Sequence, residues 1–125
     1  MRRLEAEQAV LGALLQDNTV LYRIPDLKPE HFFLDDHKII FSEIVKMVLE
    51  GKSADPITVA ESCEKHGIDC GGFQYLGELS INTASSYSAP TYAAIVMDDA
   101  LRRTLADITA QLAEETNSDK TTPAT

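Results

Sequence analysis

Residues 35–51 read DDHKIIFSEIVKMVLEG, and this stretch decides the fold class. Its apolar residues recur at intervals of three and four, which is the spacing of one face of an α-helix. We expect Asp35 or Asp36 to cap this helix at its start and Gly51 to follow its last turn. The predicted buried face consists of Ile40, Phe41, Ile44, Val45, Val48 and Leu49.

The residues that precede this stretch also show helical spacing. From Leu4 to Gln16 the apolar residues follow one helical face, and Glu5 and Glu7 lie in the predicted first turn, where negative charge suits the helix dipole. Two shorter helical segments are predicted between there and residue 35. Asp17 and Asn18 are expected to cap the first segment, which Pro25 ends. Pro29 is expected to start the second segment, whose Phe32 and Phe33 side chains point inward.

Two helices of ordinary length are predicted after Gly51. Asp55 suits the cap of the first and Pro56 its first position, with Gly67 beyond its last turn. Gly71-Gly72 then interrupts the chain before the second. The predicted inward residues are Val59, Ala60 and Cys63 in the first helix, and Phe73, Leu76 and Leu79 in the second.

The C-terminal part is predicted to be one long helix. Residues 82–89 are rich in Ser and Thr and suit a loop, after which Pro90 opens a helix that runs to about Glu115. The chain shows neither the alternation of paired strands nor an Asn-Gly hairpin turn, so the predicted class is all-α. We expect a compact multi-helix globule over residues 1–89, a long protruding helix over 90–116 and a flexible tail over 117–125.

This long helix carries a stripe of large apolar residues. They are spaced four, four, three and four apart, which is close to a heptad pattern. A stripe on a helix that extends beyond a small globule needs a cover, which is the globule itself, a missing partner helix or a second copy of the chain. We take it as the candidate self-association or partner face: Met97, Leu101, Leu105, Ile108 and Leu112.

The composition argues against strong DNA binding and membrane insertion. The formal net charge is −9, and the densest basic features are the pairs Arg2-Arg3 and Arg102-Arg103. Because nonspecific DNA binding depends on neutralising phosphates, we expect this chain alone to bind DNA weakly. The plain interpretation of the acidity is that it aids solubility. Charged residues interrupt the apolar residues near the N-terminus, whereas a signal peptide has a continuous apolar stretch there. We therefore expect a cytosolic protein.

Patterns typical of catalysis are absent from the sequence. It contains neither a Walker-type phosphate-binding loop nor a G-x-S-x-G serine elbow, so we expect no cofactor and no enzymatic activity from this chain. We expect Cys63 to be a small, buried hydrophobic residue. Its spacing from Cys70 is too long for a CxxC motif. The serines before the long helix suit loop and capping roles: Ser80, Ser85, Ser86 and Ser88.

One metal hypothesis comes from two histidines. His31 and His37 lie close in sequence, with Asp35 and Asp36 between them. Ligands on one helix face need a spacing of three or four, whereas these two histidines straddle a predicted helix boundary. We therefore favour a capping or core role for both over a small metal-dependent enzyme.

Five segments in order resemble the N-terminal domain of DnaB-family replicative helicases. The first is the opening EAEQAVLG, residues 5–12. The others follow along the first 110 residues: Phe32-Phe33 with His37, Ile40-Phe41 and Ile44; Asp55 with Ile57-Thr58-Val59; Gly71-Gly72-Phe73 with Tyr75-Leu76 and Leu79; and Tyr92-Ala93 with Ile95-Val96, Arg102-Arg103 and Leu105. Each segment alone is a packing pattern, whereas five in order are specific.

This resemblance implies an oligomerisation and docking domain. In that family a helical globule carries a protruding helical hairpin, and hairpins pair between subunits into a collar that receives primase. The helix from Pro90 would be the first arm of the hairpin, and the implied partners are further copies of the chain and a primase or helicase loader. The sequence departs from the family by stopping near the end of this arm and in the loop over residues 83–90. An alternative is a free-standing phage or mobile-element protein that mimics the collar to load, cap or inhibit a host helicase.

Overall fold

The computed structural model describes the backbone of residues 3–121 and the side chains of residues 3–117. Within that range the chain forms α-helices joined by short 3-10 segments and contains no strand, so the predicted all-α class is confirmed. The 3-10 segments span Asn18–Arg23, Pro29–His31 and Ser86–Ser88. The helices are α1 (Arg3–Gln16), α2 (Asp35–Leu49), α3 (Pro56–Lys65), α4 (Gly72–Asn82) and α5 (Ala89–Thr121).

Helix α1 lies at the centre of the globule. It packs against α2, α4 and the N-terminal part of α5, since apolar residues cover most of its circumference. The rest of the core is mainly aliphatic, with Phe32 and Phe41 in contact at 5.1 Å between ring centroids. The buried hydrophobic residues of α1 are Ala6, Val10, Leu11, Ala13, Leu14 and Leu15.

Helix α1 approaches the end of α4 very closely at Gly12. A β-carbon at this position would collide with the Thr83 hydroxyl and the Leu79 carbonyl oxygen. Hydrogen bonds reinforce the same junction, because Gln16 Nε2 donates to the carbonyl oxygens of Ser80 and Thr83, at 2.6 Å each. Glycine is therefore required here by the space between the two helices.

Most of the predicted helix starts are confirmed, but the start of α2 requires a correction. Asp55 accepts a hydrogen bond from Thr58 N at the start of α3, and Pro56 occupies the first position. The cap of α2, however, is Leu34, without a side-chain hydrogen bond. Asp35 and Asp36 lie in the first turn, where their carboxylates still suit the helix dipole.

Three residues predicted to face inward are exposed instead. Phe33, Leu49 and Phe73 are exposed by 44%, 72% and 56%. Each lies at or beside an end of a helix, where fewer neighbouring elements are present to cover a side chain than at its middle. The remaining inward residues of α2, α3 and α4 are buried or partly buried.

Helix α5 begins one residue before Pro90 and continues past the predicted end at 116. Pro90 fits in the first turn because the N–H that proline lacks has no partner within the helix there. The buried residues of α5 are Ala89, Ala93, Val96 and Ala100, so its first three turns pack against the globule. Of the predicted tail, residues 117–121 are helical and residues 122–125 lie outside the described residues.

Candidate interaction surface

Two arginines and an aromatic ring hold α5 where it leaves the globule. Asp99 accepts hydrogen bonds from Arg103 Nε at 3.2 Å and from Arg3 Nη1 at 3.4 Å. The guanidinium carbons of these arginines lie 4.0 Å (Arg3) and 5.2 Å (Arg103) from the centre of the Phe33 ring. Arg103 also donates to the carbonyl oxygen of His31 at 2.9 Å. These contacts set the direction of α5 where it leaves the globule.

Beyond this anchor, α5 continues as an arm that the globule does not bury. Every described side chain after Arg103 is exposed. At about 1.5 Å per residue, residues 104–121 extend about 27 Å. We call residues 104–121 the α5 arm.

The predicted stripe lies along α5 and on this arm. Met97 is partly buried against the core, whereas the other four residues are open to solvent. The globule therefore covers one end of the stripe only. The exposed fractions are 57% for Leu101, 53% for Leu105, 47% for Ile108 and 58% for Leu112.

The described part of the arm is acidic. Residues 104–117 contain Asp107, Glu114 and Glu115 and no Lys, Arg or His. Arg102, just before the arm, is paired with Asp98 at 2.9 Å, and this hydrogen bond raises the pKa of the guanidinium further above its ordinary value. The arm therefore presents an apolar stripe on a negatively charged helix.

A second exposed apolar surface lies along α2, and we call it the α2 groove. It has a volume of about 490 Å³ between α2 and the segment over residues 21–29. Tyr22 (69% exposed) and Leu49 (72% exposed) form its walls, and Lys28 and Lys46 lie at its rim. No carboxylate is among the residues that line it. Sequence reasoning missed this groove because it assigned Leu49 to the core.

Sequence reasoning also missed a buried polar network. Glu7, predicted as a first-turn residue that suits the dipole, is fully buried together with His37. Glu7 Oε1 lies 2.7 Å from His37 Nδ1, and Glu7 Oε2 accepts a hydrogen bond from Phe33 N at 2.7 Å. His37 Nε2 lies 2.6 Å from the Tyr75 hydroxyl, whose pKa is raised by burial.

The spacing of α1 contained the signal for this network. Val10, Leu11 and Leu14 follow Glu7 at intervals of three, four and seven, so Glu7 shares their buried face. A carboxylate on an apolar face requires a partner, because an unpaired buried charge is strongly unfavourable.

The structure does not bring the two histidines of the metal hypothesis together. His37 is engaged in the core, whereas His31 is a partly buried residue whose Nδ1 accepts a hydrogen bond from Lys28 N at 2.9 Å. Among the described residues, no group of three or more His, Cys, Asp or Glu side chains is arranged to hold a metal ion.

Candidate nucleophiles have structural roles. Cys63 and Cys70 are both buried, and burial together with the neighbouring Cys70 thiol raises the pKa of Cys63 to about 12. Because the thiolate is the reactive form, Cys63 is an inert thiol near neutral pH. Ser85 accepts a hydrogen bond from Tyr87 N and thereby caps the 3-10 segment before α5.

Comparison with known proteins identifies the family. A model of the DnaB-like helicase N-terminal domain matches residues 1–98. The chain belongs to this family. Similar curated proteins include the replicative DNA helicases DnaB of Pasteurella multocida, 40% identical over 89% of this chain, and Haemophilus influenzae, 34% identical over 93%. The chain spans about a quarter of the length of these relatives, at 24% and 25%.

Solved DnaB structures show the same fold. The N-terminal domain of DnaB helicase from Mycobacterium tuberculosis superposes with a TM-score of 0.88 at 28% identity, covering 94% of this chain and 86% of that one. A DnaB-like replicative helicase, solved to describe its interactions with primase, gives 0.77 at 31% identity and covers 90% of this chain and 27% of that one. The chain thus corresponds to the non-catalytic N-terminal domain of DnaB, and the motor domain is absent from these 125 residues. No helix in the described part of the chain is long and apolar enough to span a membrane.

Proposed function

We propose that this chain is an assembly and docking domain, which associates with further copies of itself and receives a primase or a helicase loader. The observation that carries the proposal is the stripe on α5, four of whose residues are about half exposed. Covering the open half of each would contribute about 1 kcal/mol, so the four together favour association substantially. The self-association face is Met97, Leu101, Leu105, Ile108 and Leu112.

The DnaB-like helicase solved with reference to its interactions with primase supports the docking part of the proposal. The charge supports a protein partner over DNA, since the chain carries a net charge of −9. We expect primase, titrated with this chain, to give a saturable binding isotherm. A primase that shows no binding at high micromolar concentration would restrict the function to assembly.

Sedimentation across a concentration series tests the assembly part. We expect the unmodified chain to form dimers or larger species that dissociate on dilution. Leu105→Glu/Ile108→Glu should raise the dissociation constant at least about tenfold, since it places two charges in the stripe. Circular dichroism should show nearly unchanged helicity, because both side chains are already exposed.

The matched control is Ala106→Glu/Ala113→Glu, which adds the same two charges to the same helix about a third of a turn away from the stripe. This variant should assemble much like the unmodified chain. Equal weakening of self-association in the two double variants would indicate general charge repulsion and not an interface at the stripe. Unfolding of the Leu105→Glu/Ile108→Glu chain would instead place the stripe in the core.

A further inference from the structure

We infer that the α2 groove is a docking site for a short acidic, amphipathic segment of a separate partner protein. The apolar side chains of that segment enter the groove, and its carboxylates lie beside the surrounding lysines. None of the residues that line the groove belongs to α5. The inference therefore goes beyond the proposed function, because it does not depend on self-association through the stripe.

The groove offers apolar surface that no described residue covers. Its floor is formed by the buried side chains of Ile24, Leu27 and Phe41, and the exposed side chains of Tyr22 and Leu49 form its walls. Its volume of about 490 Å³ lies within the range of cavities that bind ligands. Large apolar residues that are grouped at a surface, and not scattered over it, mark an interaction site.

Lysines surround the groove. Lys28 and Lys46 line it, and no carboxylate does. Lys46 also lines a neighbouring cleft of about 460 Å³ between the end of α2 and α3, together with Lys52 and Lys65. All four lysines are exposed, and none forms an ion pair with a described residue.

This surface reverses the charge of the chain locally. The chain as a whole has 20 acidic and 11 basic residues. The groove and the cleft together carry four lysines against two carboxylates, those of Glu50 and Glu61 in the cleft. Because complementary charge steers the encounter of two proteins and disfavours partners of the wrong sign, the surface selects a segment that carries carboxylates.

An amphipathic acidic segment matches both the floor and the rim. Apolar side chains at helical spacing enter a hydrophobic groove while the polar side chains remain at its edge. A nucleic acid fits this surface less well, because two lysines around an apolar floor neutralise few phosphates. A short segment with a few carboxylates is also repelled less than a long polyanion by a chain of net charge −9.

Fluorescence anisotropy with a labelled synthetic peptide tests the site. The probe is a peptide of about 15 residues, with Leu or Phe at helical spacing and Glu at most other positions. We expect saturable binding that weakens as salt is added, because salt screens exposed charges. A comparison peptide with Ser in place of every apolar residue should bind at least about tenfold more weakly.

Two variants locate the bound peptide. Tyr22→Glu/Leu49→Glu places two charges beside the apolar floor and should raise the dissociation constant of the peptide at least about tenfold. Lys46→Glu should raise it about three- to tenfold, since an attraction at the rim becomes a repulsion. Thermal unfolding followed by circular dichroism checks that both variants are folded.

Each variant has a matched control outside the groove. Phe73→Glu/Ile81→Glu makes the same kind of change at two exposed apolar residues of α4. Lys38→Glu reverses the charge of a lysine near the other end of α2. Both controls should bind the peptide within about twofold of the unmodified chain. Groove variants that bind the peptide like these controls overturn the inference.

Three further outcomes also overturn it. The first is equal binding of the acidic and the Ser-substituted peptide, or no saturable binding at about 1 mM peptide. The second is tighter binding of a single-stranded oligothymidylate, lost in Lys46→Glu, which assigns the surface to nucleic acid. The third is peptide affinity that falls as the concentration of the chain itself rises, which assigns the groove to a second copy.

The stripe variant Leu105→Glu/Ile108→Glu separates this inference from the proposed function. It should bind the peptide like the unmodified chain, because the stripe lies outside the groove. Loss of peptide binding in this variant would place the peptide on the stripe and overturn the inference. An unmodified chain that binds the peptide in the groove but never self-associates supports the inference and overturns the assembly part of the proposed function.

Discussion

Glu7 is a carboxylate without exposed surface, and each of its oxygens has a partner. One oxygen contacts His37 and the other accepts from the Phe33 amide, so the side chain joins α1 to the start of α2. Because the guanidinium groups of Arg3 and Arg103 both lie close to the Phe33 ring, the same network fixes the segment against which α5 is anchored. A single buried side chain thus links the core to the direction of the α5 arm.

Replacing Glu7 by Ala should lower the free energy of unfolding by about 3–5 kcal/mol, because His37 and the Phe33 amide lose their partner in the core. Urea unfolding followed by circular dichroism measures this loss. Glu5→Ala is the control, since Glu5 is an exposed carboxylate on the same helix, and it should cost less than about 0.5 kcal/mol. Similar losses in both variants would show that the network contributes little.

At the scale of elements, the packing of α1 against α4 depends on Gly12. At the point where the two helices meet, the Gln16 side chain also donates hydrogen bonds to carbonyl oxygens at the end of α4. The two helices therefore cannot move far apart at this junction. Core sites of this kind respond to a single added methyl group, because the surrounding side chains have no room to move.

Gly12→Ala should lower the free energy of unfolding by about 1–3 kcal/mol, in spite of the better helix propensity of alanine. Gly77→Ala is the matched control, because a β-carbon at Gly77 in α4 would meet nothing within 4 Å. That change should raise stability by about 0.5–1 kcal/mol. Thermal unfolding of both proteins measures the difference, and a stabilised Gly12→Ala variant would contradict the close approach.

At the scale of the whole molecule, one helix has two environments. The first turns of α5 are part of the core through Ala93 and Val96, whereas the arm is surrounded by solvent. Helices without tertiary contacts are only marginally stable in water, so we expect the arm to be less stable than the turns of α5 that pack in the core.

Hydrogen exchange should report this contrast. In dilute monomer, amides of residues 104–117 should exchange at least about tenfold faster than those of residues 93–100, since the latter open only with the core. Raising the protein concentration should slow exchange in the arm as copies associate. Slow exchange in the arm at every dilution would mean that it is stabilised without a partner.

Several features of this protein could be predicted from local sequence alone. The spacing of Ile40, Phe41 and Ile44 predicts a helix and its buried face, and Asp55-Pro56 predicts a helix start, because both signals act within one or two turns of the chain. The stripe on α5 was also predicted as a pattern. Its role as an interface stays a prediction, although the structure leaves Leu101 to Leu112 exposed.

Other features depend on which elements meet, and local sequence carries little of that information. The first-turn position of Glu7 predicts a favourable interaction with the helix dipole, but its burial against His37, 30 positions along the chain, depends on tertiary packing. Leu49 belongs to the apolar face of α2, yet none of the described elements covers the end of that helix, and Leu49 therefore lines the α2 groove. The sequence alone determined the helices and their apolar faces, since these arise from contacts within a few residues. Only the tertiary structure decided which of those faces are covered, because burial depends on residues far apart in sequence.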